Sequence, residues 1–159
     1  MKNTIFAGLG GLVLGVILTM LVLILMAPKM MIIEDESSYN FEDSKVKFEQ
    51  SVKDHNWKIP TVHDLQKTMN KFGHDVKPVV VYELCHPDHA NKILQENDER
   101  IVSSMMPCRV AIYEKADGKV YVSRMNSALM SKFLGKIVKE VMADASSENE
   151  EILEVLISN

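Results

Sequence analysis

The amino-acid sequence predicts an α+β domain carried behind one membrane-spanning helix. Three observations point there. A long apolar run near the N-terminus holds no charge. Two segments rich in β-branched residues flank an Asp-Gly turn. Other apolar residues recur at helical spacing between and after the strands, so one sheet covered by helices satisfies every apolar face.

The apolar run comes first in the chain. No charged residue lies between Lys2 and Lys29, and 18 of the 24 residues from Thr4 to Ala27 are hydrophobic. About 20 residues at about 1.5 Å per residue cross a hydrocarbon core. The run is too long for a signal-peptide core, and no small-x-small cleavage site follows it. We therefore divide the chain into a tail (1–3), a transmembrane helix (4–27), a linker (28–40) and a soluble domain (41–159). Residues 4–27 make the lipid bilayer the first expected partner. Lys2 and Lys29 give nearly equal basic flanks. The very short tail favours a signal anchor in the cytoplasmic (inner) membrane, with the N-terminus in the cytoplasm and the domain outside. Gly8, Gly11 and Gly15 lie at small-residue spacing that lets two such helices pack as a homodimer. Glycine is also simply common in membrane helices.

Composition bounds the rest. The 159 residues leave room for one domain. Overall 47% are hydrophobic and 25% charged, which excludes disorder. Without Lys2 the soluble part holds 17 basic and 22 acidic residues, a net charge of −5. That balance argues against a nucleic-acid partner, which needs a basic footprint. Two cysteines exclude a disulfide-rich scaffold.

The elements follow in order. A strand is possible at Met30–Ile33, and residues 34–40 read as a polar spacer. Asn40 caps a helix with Glu42 and Asp43 in its first turn and Phe41, Phe48 and Val52 on one face. Trp57 and Ile59 alternate with Lys58 in a short strand ended by Pro60. Thr61 caps a helix with a stripe of Val62, Leu65, Met69 and Phe72, closed by Gly73. Residues 78–84 (PVVVYEL) read as a central strand. Pro87 opens a helix to about Gln95, with Ala90, Ile93 and Leu94 inward. Residues 108–114 and 119–124 form a hairpin across Asp117-Gly118. Asn126 caps the last long helix, whose stripe runs from Leu129 through Phe133 to Met142. Ser147 and Glu150 have capping-box spacing for a short terminal helix.

Two segments hold the reactive atoms: Glu83–Ala90 (ELCHPDHA) and Met105–Arg109 (MMPCR). Cys85 lies between a strand and a helix N-terminus, where partial positive charge favours a thiolate. His86 and His89 are three apart and share a helical face. Cys108 opens the next strand. Only antiparallel neighbours bring Cys85 and Cys108 to one sheet edge, within the roughly 7 Å between Cα atoms that a disulfide needs. Three readings stand: two buried structural thiols, a redox dithiol, or a copper or zinc site of Cys85, His86, His89 and Cys108, with Met105 or Met106 as an added soft ligand to copper. No P-loop, dinucleotide fingerprint, zinc-protease or nucleophile-elbow motif is present in the soluble part. No catalytic motif is recognisable.

The stretches WKIPTVHDLQ (57–66), ELCHP (83–87) with Ala90, MPCRVAIY (106–113), DGKVYV (117–122) and Met125-Asn126 together resemble the domain-of-unknown-function 302 family. They span about residues 41–145. Members usually have Asn where this chain has His86. The resemblance implies a curved antiparallel sheet with helices on one side, similar to the TATA-binding-protein arrangement, and no established activity. The leading functional expectation is a membrane-anchored extracytoplasmic binding or interaction module. The alternative is a thiol-redox or metal-handling protein.

Overall fold

A computed structural model of the chain describes residues 2–157, with side chains from residue 10 onward. Met1, part of the expected tail, lies outside the described residues. Helix α1 (Lys2–Met31) passes without a loop into strand β1 (Ile32–Glu36). Its stretch Gly10–Met31 has a mean hydropathy of 2.7 and is not buried against the domain. Those 22 residues reach about 33 Å at the helical rise, enough to cross a membrane. The Thr19 hydroxyl donates to the Gly15 carbonyl (2.8 Å), so it does not face an apolar solvent unpaired. Gly11 and Gly15 have open space around them. Gly8 lies outside the residues whose side-chain surroundings are described.

The remaining elements are α2 (Phe41–Asp54), β2 (Val62–Asp64), α3 (Leu65–Lys71), β3 (Val79–Leu84), α4 (Pro87–Leu94), β4 (Cys108–Glu114), β5 (Val120–Met125), α5 (Ser127–Met130) and α6 (Lys136–Leu153). Two 3-10 segments, Glu99–Met105 and Ser131–Phe133, join them. The sheet order is β1-β5-β4-β3-β2, and every pairing is antiparallel. The expected α+β class therefore holds. The β4–β5 hairpin turns at Gly118, whose φ of +78° only glycine adopts at no cost. Asn40 accepts the Asp43 amide (2.9 Å) and caps α2.

One face of the sheet carries the core. Val80, Tyr82, Leu84, Val110, Ile112, Val120 and Val122 pack against Phe48 and Val52 of α2 and Ala145, Ile152 and Leu153 of α6. Alternation along β3 and β5 puts Val81, Tyr121 and Ser123 on the opposite, half-buried face.

Several expectations change. Within residues 28–40, expected as a linker, Ile32–Glu36 form the sheet's edge strand. Trp57–Ile59 is no strand; only Lys58 bridges to Cys85, and the strand lies at Val62–Asp64. Asp64, not Thr61, caps α3 by accepting the Lys67 amide (2.7 Å). Of the Val62–Phe72 stripe, Val62, Leu65 and Phe72 stay exposed and Met69 is half-buried, because α3 is seven residues long at the far sheet edge and buries none of them. β3 is second from the edge; the central strand is β4. Leu94 is exposed, whereas Ile93 is buried. Asn126 caps only the four-residue α5, and the long helix restarts at Lys136. Gly135 precedes it, and a Cβ there would collide with the Glu99 carboxylate. Ser147 caps nothing, because α6 runs straight through it to Leu153.

Arg124 ties β1 to the body. Its side chain is 5% exposed and ion-paired to Asp35 of β1 and Glu150 of α6. Burial opposes its charge, and the hydrogen bonds to Glu150 and Asp35 outweigh that, so it stays cationic. Arg124→Leu leaves two carboxylates without their donor and is expected to cost about 2 kcal/mol, since both acids keep some solvent. Arg124→Lys recovers only part, for want of the planar fork. Thermal unfolding of the full chain in detergent micelles checks this. A leucine variant as stable as wild type contradicts it.

Candidate functional site

The site forms where strand ends converge. Leu84 at the end of β3 pairs with Cys108 at the start of β4. Cys85 follows directly and exchanges both backbone hydrogen bonds with Lys58 (2.9 Å each). Both cysteines therefore lie at one edge of the sheet, as the antiparallel condition requires, and both are free thiols. Burial pushes the Cys108 thiol up, and the neighbouring Cys85 adds to the rise. That direction suits a protonated, unreactive thiol rather than an attacking thiolate.

The chain then turns into α4 with Pro87 at its first position, which aims the two histidines at the end of the sheet. The His86 and His89 rings lie 4.6 Å apart between centroids, and Trp57 lies 5.5 Å from His86. Glu148 holds this group from the opposite side. Its carboxylate accepts from Trp57 Nε1 (2.8 Å) and meets His89 Nε2 (2.9 Å). Partial burial acts to raise the Glu148 pKa; the hydrogen bonds from His89 and Trp57 win and hold it below the usual carboxylate range. An ionised carboxylate only accepts, so His89 Nε2 carries the proton. In the neutral ring Nδ1 then keeps a free lone pair.

Two adjoining cavities open here. One, of about 40 Å³, is lined by Trp57, Cys85, His86 and His89. The other, of about 140 Å³, is lined by Ser104, Met105, Met125, Ser127 and Asn149. Met106, Pro107, Cys108 and Met142 form the wall between them. Among the described residues, the buried side-chain polar atoms without a hydrogen-bond partner are His86 Nδ1, His89 Nδ1 and Asn149 Oδ1. All three belong to residues lining these cavities.

The structure thus gathers Cys85, His86, His89 and Cys108 around one cavity. Yet no group of three or more His, Cys, Asp or Glu among the described residues is placed to hold a metal ion as the side chains stand. The copper or zinc sphere expected of those four residues is therefore not preformed. Trp57, Glu148 and Asn149 are site residues that sequence reasoning missed. Glu148 was hidden by the false helix break at Ser147. A single uninterrupted α6 places Met142, Ala145 and Asn149 on one inward stripe at spacings of three and four.

Residues 33–157 match the profile described as "Domain of unknown function DUF302". The chain belongs to the DUF302 family. An uncharacterized protein of Aquifex aeolicus (strain VF5) is 26% identical over 143 residues, covering 87% of this chain and 92% of that protein. The aligned part of this DUF302 chain is longer than residues 33–157, so it takes in part of α1. A crystal structure of an uncharacterized conserved DUF302 protein from Bacillus stearothermophilus superposes with a TM-score of 0.71 at 20% identity. It covers 79% of this chain and 98% of that one, and the likeness is one of fold.

Loss of the Glu148 charge has a defined pH sign. Its folded pKa is depressed, so its contribution is present above the ordinary 4.5 and is lost as pH falls below that value. Trp57 is the chain's single tryptophan and reports directly. Its emission is expected to shift as pH falls below 4.5, and Glu148→Gln to shift it already at neutral pH. That variant is also expected to lose about 1 kcal/mol of stability, allowing for solvent at the carboxylate. Unchanged emission and stability in the variant contradict the bridge.

Proposed function

We propose that the protein is a membrane-anchored binding module that takes a small ligand in the paired cavities at the sheet edge. The observation that carries this reading is the three orphaned polar atoms on residues lining those cavities. Buried polar groups without partners are costly, and a ligand that pairs them recovers that cost. A neutral His89 that donates from Nε2 offers Nδ1 as an acceptor, as Asn149 offers Oδ1, and the complementary ligand to that pair presents N–H or O–H groups. The thioethers of Met105, Met106 and Met125 call for an apolar body beside them. Helix α1 supplies the anchor, with its N-terminus in the cytoplasm and the domain outside.

The thiol reading stays second. It is favoured by the placing of Cys85 and Cys108 at one edge and opposed by the raised pKa of Cys108.

Native mass spectrometry of the full chain, extracted in mild detergent, tests the binding reading. One non-covalent small-molecule adduct is expected, and Ser127→Phe, which fills the larger cavity, is expected to lose it. A folded wild type without any adduct, or an adduct that persists in the variant, contradicts the site. Protease added to right-side-out membrane vesicles tests orientation. Digestion of the domain is expected, and protection until the vesicles are opened reverses the orientation.

A further inference from the structure

The exit of α1 is clamped to the domain. The Asn126 amide donates to the Met31 carbonyl (2.8 Å), and Asn126 Nδ2 donates to the Met30 carbonyl (3.0 Å). α5 and the 3-10 segment Ser131–Phe133 follow directly, so they lie beside the point where α1 leaves the fold. Glu99 packs against Gly135, which brings the other 3-10 segment, Glu99–Met105, to the same end. These two segments carry the two most exposed large apolar side chains among the described residues, Phe133 at 85% and Ile101 at 81%. Neither contributes to the core. Each has a cation as its chain neighbour, Lys132 and Arg100, and Lys29 stands at the end of α1.

An apolar tip flanked by basic residues, beside the exit of an apolar helix and joined to it without slack, matches one partner: the bilayer that holds α1. We propose that Phe133 and Ile101 insert into the interfacial layer of that membrane, so that the domain rests on the bilayer instead of standing off on a stalk. This rests on the reading of α1 as a membrane anchor. It adds a consequence for the larger cavity. Ser104 and Met105, from the segment that bears Ile101, and Ser127 of α5, which leads into the segment that bears Phe133, line its wall, so the cavity lies close to the lipid surface.

The test uses the full chain in vesicles of phosphatidylcholine and phosphatidylglycerol. Phe133→Trp and, separately, Ile101→Trp are compared with Phe72→Trp. Phe72 is also exposed, but it follows α3 at the opposite end of the sheet. Trp57 is buried and gives a constant background. Flotation after an alkaline carbonate wash reports anchoring independently. With the chain anchored, the added emission at 133 and 101 is expected to lose most of its intensity to lipids brominated high on the acyl chain. Emission at 72 is expected to be lost to aqueous acrylamide instead. Acrylamide quenching at 133 and 101 equal to that at 72, in an anchored chain, overturns the inference alone. Protection from both quenchers marks a second copy of the chain on the tips and also overturns it. Release by carbonate overturns the anchor and the inference together.

Discussion

Arg124 reaches from β5 to Asp35 on β1 and to Glu150 on α6, and the placing of β1 and of the helix that leads into it depends on that reach. β1 is an edge strand, and an edge strand of five residues is weakly held by one ladder alone. Charge makes up the difference on both of its faces. Asp35 turns inward to Arg124, while Glu34 and Glu36 turn outward to Lys115 (2.6 Å) and Lys119 (2.8 Å). The inward pair is the stronger contributor, because the guanidinium is shielded from water; the outward pairs are exposed and contribute little each. With β1 fixed, the apolar helix before it has no joint about which to swing. A helix that would otherwise hang on a leash becomes a stem.

The candidate site lies at the end of the sheet where that stem enters. Ile32 pairs with Met125, Arg124 with Val110, and Leu84 with Cys108, so register alone carries the edge where α1 enters across to the thiols and histidines. Glu148 then performs two tasks with one carboxylate. It satisfies the indole of Trp57, and it sets the His89 tautomer that donates from Nε2, leaving the buried Nδ1 without a partner. A ligating imidazole oriented by a carboxylate is a common way to prepare a nitrogen for a partner. Among the described residues no three such side chains are placed together for a metal, and the proposed ligand is therefore one that pairs by hydrogen bonds.

Much of the fold was legible because its signals are local. Asp117-Gly118 announces the hairpin through a backbone angle, Asn40 announces α2 through its side-chain oxygen, and Pro87 opens α4. The meeting of Cys85 and Cys108 was legible as a condition on strand direction. The unread parts depend on partners distant in sequence. Glu34-Asp35-Glu36 looks like a solvated spacer until Lys115, Lys119 and Arg124 are seen opposite. Ser147 looks like a cap until packing against the sheet extends α6 through it, and only then does Glu148 face Trp57. The stripe from Val62 to Phe72 has helical spacing, but no layer exists to cover it.

The rigid joint between α1 and the sheet is the claim on which the placing of the site depends. Hydrogen exchange at the β1 amides, measured on the full chain in bilayer nanodiscs, tests it most directly. Protection of the Ile32–Glu36 amides that pair with β5, comparable to that of the β4–β5 hairpin, is the expected result. Exchange of those amides as fast as in an unstructured peptide would contradict it, and would return residues 28–40 to the status of a flexible linker.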